Sequence, residues 1–162
     1  MGAILHMLEQ AVPPTKTSGG LNRLVEWLAT EQGKQGHKVY VASPEGSSTG
    51  YFEHVRIPRD YTPDNIAPLI PDDVTDIEMH QVRPDVAKWL MERYPRSIEI
   101  MHSGIGAEQA EPGYWTGSKT VFVSRSHMQQ AGGSQYAYNG VPVDQYEYRE
   151  DKSDSLLFLA KV

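Results

Sequence analysis

The residues best suited to chemistry in this sequence are two histidines and a pair of glycines. His80 and His102 each close a short run with strand character, 76–80 and 98–102. In an open α/β sheet, ligands collect at the carboxyl edge of the strands, so imidazoles there are placed to move a proton or meet a polar substrate. The stretch Ser103-Gly104-Ile105-Gly106 adds pliable backbone and amides beside the second ring. The glycines end the loop Pro13-Pro14-Thr15-Lys16-Thr17-Ser18-Gly19-Gly20, which runs straight into a helical pattern. Gly19 and Gly20 let a ligand approach the backbone closely, and the free amides and positive dipole end of a first helical turn suit a phosphate or diphosphate. Each feature also has a plain structural reading. A histidine can serve only to hydrogen-bond a neighbouring carbonyl, and a glycine pair can serve only to relieve a tight turn. The loop is neither Gly-x-Gly-x-x-Gly nor Gly-x-x-x-x-Gly-Lys-Ser/Thr, which argues against nicotinamide dinucleotides and P-loop nucleotide hydrolysis.

Weaker candidates follow. Ser124 precedes a short helical pattern and could contact a ligand or cap that helix. No Gly-x-Ser-x-Gly elbow surrounds any serine, which disfavours a serine hydrolase. Trp115 could stack on a sugar ring or simply pack. No metal site is expected, because neither His80 nor His102 has a close pair of further His, Asp or Glu ligands beside it in sequence. His37, His54 and His127 read as surface or turn residues, and His6 as lining the mouth of the first strand.

The elements that must position these residues alternate between strand and helix, the order of a parallel sheet with crossover helices. Strands are expected at 4–8, 39–43, 52–57, 76–80, 98–102, 120–124 and 136–138. Leu21, Leu24, Val25, Leu28 and Ala29 form one apolar stripe over a helix at 21–35, with Asn22, Arg23, Glu26 and Glu31 away from it. Thr17 or Ser18 would cap its start, and Gly33 or Gly36 would stop it. Further helices are expected at 84–94 and 126–130, and 60–73 reads as a proline-rich excursion with at most a helical turn. Too few residues separate the second and third strands for a full crossover, so the third is expected to pair antiparallel at an edge. The expected fold is therefore α/β, three-layered and Rossmann-like, with a mostly parallel sheet of about seven strands and helices on both faces.

Composition narrows the function. The 162 residues carry 15 Lys+Arg against 21 Asp+Glu, a formal charge of −6, and no cysteine. Thiol catalysis, disulfides and cysteine-based metal sites are excluded, and the acidic balance argues against nucleic acid as a partner. Apolar runs fall far short of the roughly 20 residues of a spanning helix, and the N-terminus has no signal-peptide pattern. A soluble, cytoplasmic protein is expected.

Taken in order, Pro13-Pro14, Gly19-Gly20-Leu21-Asn22-Arg23-Leu24-Val25-Glu26-Trp27-Leu28-Ala29, Gly36-His37-Lys38-Val39-Tyr40-Val41, Asp76-Ile77-Glu78-Met79-His80, Ile98-Glu99-Ile100-Met101-His102-Ser103-Gly104, Val121-Phe122-Val123-Ser124 and Tyr138-Asn139-Gly140-Val141-Pro142 resemble the N-terminal half of a family 4 retaining glycosyltransferase of GT-B architecture. The resemblance implies transfer of a sugar from a nucleotide-sugar donor to a hydroxyl of a sugar or lipid-linked acceptor, with retention of configuration and no cofactor. Gly19 and Gly20 would meet the donor diphosphate, with Arg23 and Ser124 as further donor or helix-cap contacts. His102 would be the catalytic histidine near the transferred sugar, and Lys16, His80, Gly104 and Trp115 would shape the acceptor pocket. Residues 1–148 would form the N-terminal domain, and 149–162 a linker and the opening strand of a C-terminal, donor-binding domain that this chain lacks. That apolar strand could also pair two copies into a homodimer. The chain alone is expected to be inactive, and the stretch 103–118 is short for the family's acceptor-facing loop and helix. The competing reading is a stand-alone α/β module that binds a phosphorylated ligand without catalysis.

Overall fold

A computed structural model describes residues 2–15, 19–102 and 119–145. Six strands are present among them: β1 (Ala3–Leu8), β2 (Val39–Ser43), β3 (Glu53–Arg56), β4 (Val74–His80), β5 (Arg96–Met101) and β6 (Thr120–Phe122). They form one all-parallel sheet in the order β3-β2-β1-β4-β5-β6. This is the strand order of a Rossmann-like doubly wound sheet, whose switch point, where ligands bind, lies between β1 and β4.

Two expectations about strands are corrected. β3 pairs parallel to β2, with Tyr40 opposite Glu53 and Ser43 opposite Arg56. The link 44–52 makes this crossing without a helix: Gly46 forms an isolated parallel bridge with Val12, and Tyr51 packs so closely on Gly33 that a Cβ on Gly33 would clash with the Tyr51 carbonyl oxygen. An extended chain covers about 3.3–3.6 Å per residue, so a short link can cross where a helix could not. The expected strand at 136–138 is reduced to one bridge, Phe122 to Tyr136, and Tyr138 is exposed.

Helix α1 (Gly20–Lys34) covers one face of the sheet. Its cap position is Gly19, with no side-chain hydrogen bond; Thr17 and Ser18 lie outside the described residues. Its end is a Schellman turn. Gly36 N–H donates to Gly33 O, His37 N–H donates to Gln32 O, and Gly36 takes φ +87°, which glycine adopts without penalty. That face buries Leu8, Val12, Val39, Val41 and Phe52 against Val25 and Ala29. Asn22 is buried too, contrary to its expected outward position, and its amide donates to Ala11 O.

The opposite face is covered by α2 (Pro63–Ile66), a short 3₁₀ turn (Ala67–Leu69) and α3 (Pro84–Arg93). Thr62 and Asn65 close a capping box at α2, and Pro84 opens α3. Leu5, Met7, Ile77, Met79, Val86 and Leu90 form the larger core there. Helix α4 (Arg125–Gln130) follows β6, packed through His127, whose ring meets Phe122 edge-on at 5.0 Å. His127 is thus a buried packing residue rather than a surface one. No described helix is long and apolar enough to cross a membrane. The proposed linker and strand at 149–162, with the dimer contact expected of them, lie outside the described residues.

Candidate functional site

Sheet pleat decides which side chains meet on the α1 face. Partnered residues of adjacent parallel strands point the same way. His6 lies opposite Val41 on one side and Glu78 on the other, and Glu78 lies opposite Ile98. One step further along, Leu8, His80, Ile100 and Val121 form the next row. His102 follows two residues after Ile100, just beyond the end of β5. Three histidines from three neighbouring strands therefore share one face and straddle the switch point, His80 and His102 at the carboxyl edge and His6 inside the sheet.

Their rings form a continuous hydrogen-bonded line. Gln32, the residue whose carbonyl closes the Schellman turn, donates its amide to Glu78 Oε1 at 3.0 Å. Its Oε1 is then the acceptor for His6 Nε2–H at 2.6 Å, which leaves His6 Nδ1 with a lone pair. His80 Nε2–H donates to that lone pair at 3.0 Å, and His102 Nε2–H donates to His80 Nδ1 at 3.0 Å. Successive ring centroids are 5.3 and 5.2 Å apart. One glutamine orientation thus sets the tautomer of all three rings, and His102 Nδ1 is left as a buried acceptor without a partner among the described residues.

Burial sets the charge state. It drives the His80 imidazole well below its ordinary range, and the neighbouring His6 and His102 lower it further. Burial alone takes His102 down to about 4, so its ring is neutral at pH 7. His80, with both nitrogens engaged in the line and 1% of its surface exposed, holds His102 in place at the cavity wall.

His80 and His102 form part of the wall of a cavity of about 930 Å³ with Trp27, Glu31, Tyr138 and Asn139. Gly19 lines a separate cavity of about 400 Å³ with Asn22, Glu9, Glu45 and Arg59, in which Arg59 is paired with Glu45. A Cβ placed on Gly19 or Gly20 meets nothing within 4 Å among the described residues, and Gly19 has φ −72°, so neither the described packing nor the backbone conformation demands glycine at the start of α1. Of the expected site residues, the structure joins His80 to His102 and places Gly19 in the neighbouring cavity. Arg23 is exposed and lines neither cavity. The Ser124 hydroxyl accepts from His127 N–H at 3.1 Å, the cap contact of α4. Lys16, Gly104 and Trp115 lie outside the described residues.

The expectation that no ligand set surrounds these histidines is overturned in its geometry. One donor atom each from His6, Glu78 and His80 lies within 4.8 Å of the others. Sequence separation hid the cluster, because His6 comes from β1 and the other two from β4. Its legible part was Glu78-x-His80, two residues on one face of one strand. His6 is also buried within the sheet rather than at its mouth, and Gln32, which orders the whole line, carried no signal beyond its place late in α1. His54 instead shares a 3.0 Å hydrogen bond with Ser43 Oγ. No family model matches the sequence, and no curated protein matches it.

Proposed function

We propose that the chain is the acceptor-side domain of a retaining glycosyltransferase, which transfers a sugar from a nucleotide-sugar donor to a hydroxyl. The observation that supports this reading is a neutral histidine, His102, whose buried Nδ1 has no partner among the described residues; the start of α1, where no described neighbour requires glycine, opens into a separate cavity. In this chemistry the leaving diphosphate gathers negative charge, so helix-terminus amides stabilise the transition state more than a strong base would. The amides of Gly19 and Gly20 would approach the diphosphate, and His102 Nδ1 would accept a hydroxyl hydrogen of the sugar being transferred. Lys16, Gly104 and Trp115 would line the acceptor side, and His80 would hold His102 in register. Most of the donor would be held by a second domain, so the chain alone would bind it weakly and turn over negligibly.

Amide NMR of the chain titrated with uridine- and guanosine-diphosphate sugars tests this. Shifts are expected at residues 19–22 and at His102. Gly20→Ala, which meets no neighbour, should weaken binding about tenfold, equivalent to about 1.4 kcal/mol, without lowering the melting temperature. Absence of shifts with every nucleotide sugar at millimolar concentration would remove the reading. Equal shifts with a simple sugar phosphate would favour a phosphate-binding module without transfer.

A further inference from the structure

We infer that His6, Glu78 and His80 form a binding site for one divalent transition-metal ion of the zinc class. His6 Nδ1 lies 3.0 Å from His80 Nε2 and 3.6 Å from Glu78 Oε2. Two atoms each about 2.0–2.1 Å from zinc at a tetrahedral angle stand about 3.3 Å apart. The two separations fall on either side of that value. Two imidazole nitrogens and one carboxylate oxygen suit zinc and its neighbours, whereas calcium and magnesium prefer oxygen throughout.

Proton counting points the same way. Because Gln32 holds the His6 proton on Nε2, the Nδ1 lone pair and the Glu78 carboxylate converge with only the His80 Nε2 hydrogen to share between them. A cation gives all three atoms a common partner. Binding requires His80 to move its proton to Nδ1, from where it donates to His102 Nε2, while His102 carries its own proton on Nδ1. Each ring stays neutral and no proton is released.

The surroundings are those a metal site needs. Ligating histidines and carboxylates are usually oriented by further hydrogen bonds, whose loss costs about 10–100-fold in affinity. Here one amide, Gln32, orients both His6 and Glu78, and His102 orients His80. The three ligands stand on two adjacent strands of the sheet, so their spacing is fixed by the ladder. His6 and His80 are closed off from solvent, while the Glu78 side chain is 19% exposed and gives the ion a way in. Three protein ligands leave a fourth position for a water.

The test uses the whole chain, stripped with chelator and titrated with zinc by calorimetry, with cobalt(II) absorption reporting a tetrahedral field. One ion per chain is expected, with a zinc-dependent rise in melting temperature. Gln32→Leu should lose about 10–100-fold in affinity, and Glu78→Gln, which keeps the side-chain shape, should lose more. Circular dichroism of the metal-free variants checks that each is folded. If His6→Gln fails to fold, Glu78→Gln decides. Failure to bind zinc at micromolar concentration, binding at another stoichiometry, or unchanged affinity in Glu78→Gln would overturn the site and leave a hydrogen-bonded histidine line. With zinc bound, His102 Nδ1 carries a proton and would donate to a sugar hydroxyl instead of accepting, so donor binding is read on metal-free protein and the two readings fail separately.

Discussion

The same two strands build both faces of the sheet, yet the faces differ in kind. Toward α3, β1 and β4 present Leu5, Met7, Ile77 and Met79, all buried in one apolar core. Toward α1, the alternate residues are His6, Leu8, Glu78 and His80, three of them polar. Burying uncharged imidazoles and a carboxylate costs free energy unless each atom is partnered, so the α1 face tolerates them only through the Gln32 line. Parity in these two strands therefore separates a wholly apolar face from one that carries the hydrogen-bonded histidine line beside its own apolar cluster. The side chains of neighbouring residues such as Ile77 and Glu78 are committed to different work.

Truncation should expose that division most strongly. Ile77→Ala removes a fully buried side chain from the larger core and should cost about 2–5 kcal/mol in urea unfolding. His102→Ala removes one hydrogen bond at the cavity wall and leaves the buried His80 Nδ1 unpaired, and should cost about 1–3 kcal/mol, less than the core truncation. Equal losses would mean that the histidine line carries as much stability as the core, and the comparison would collapse.

Acid should then sharpen it. His102 takes up its proton near pH 4 when folded but near the ordinary 6.5 when unfolded. The unfolded chain thus binds more protons between those values. Stability should be full above about pH 6.5 and fall as the pH drops toward about 4, by at most about 1.4 kcal/mol per pH unit for one group. His80, shifted the same way, adds to the slope. In metal-free protein His102→Ala should flatten this limb, whereas a conservative change on the apolar face, Ile77→Val, should shift the whole curve without changing its slope. An identical limb in His102→Ala would show that other groups govern the acid transition.

Much of the fold is legible in the sequence because it rests on local patterns. The apolar stripe from Leu21 to Ala29 marks α1, Pro84 marks the start of α3, and the β-branched runs mark β2 and β5. What escapes is whatever depends on contacts between distant segments. The parallel pairing of β3 follows from how the link 44–52 crosses α1 beside Gly33, which no local rule reports. The site divides in the same way. His80 and His102 announce themselves by lying at strand ends, but the contacts of His6 with Glu78 and Gln32 appear only once β1 lies beside β4 with α1 across them.

The smallest effect concerns the turn that ends β4 at the switch point. Gln81, directly after His80, has φ +55°, a left-handed conformation in which a side chain costs about 1–2 kcal/mol. Gln81 takes this turn directly after a residue held on both sides by His6 and His102. Glycine would relieve the strain but would add about 0.5–1 kcal/mol of entropy to the unfolded chain. Gln81→Gly also gives up the interaction that Gln81 makes and should therefore stabilise by at most about 0.5 kcal/mol, whereas the β-branched side chain in Gln81→Val should destabilise, both read from urea midpoints. Opposite signs would tie the strain to the polar face, which carries the histidine line. A loss in both variants would mean that the glutamine side chain itself supports the turn, and backbone strain would no longer distinguish the two faces.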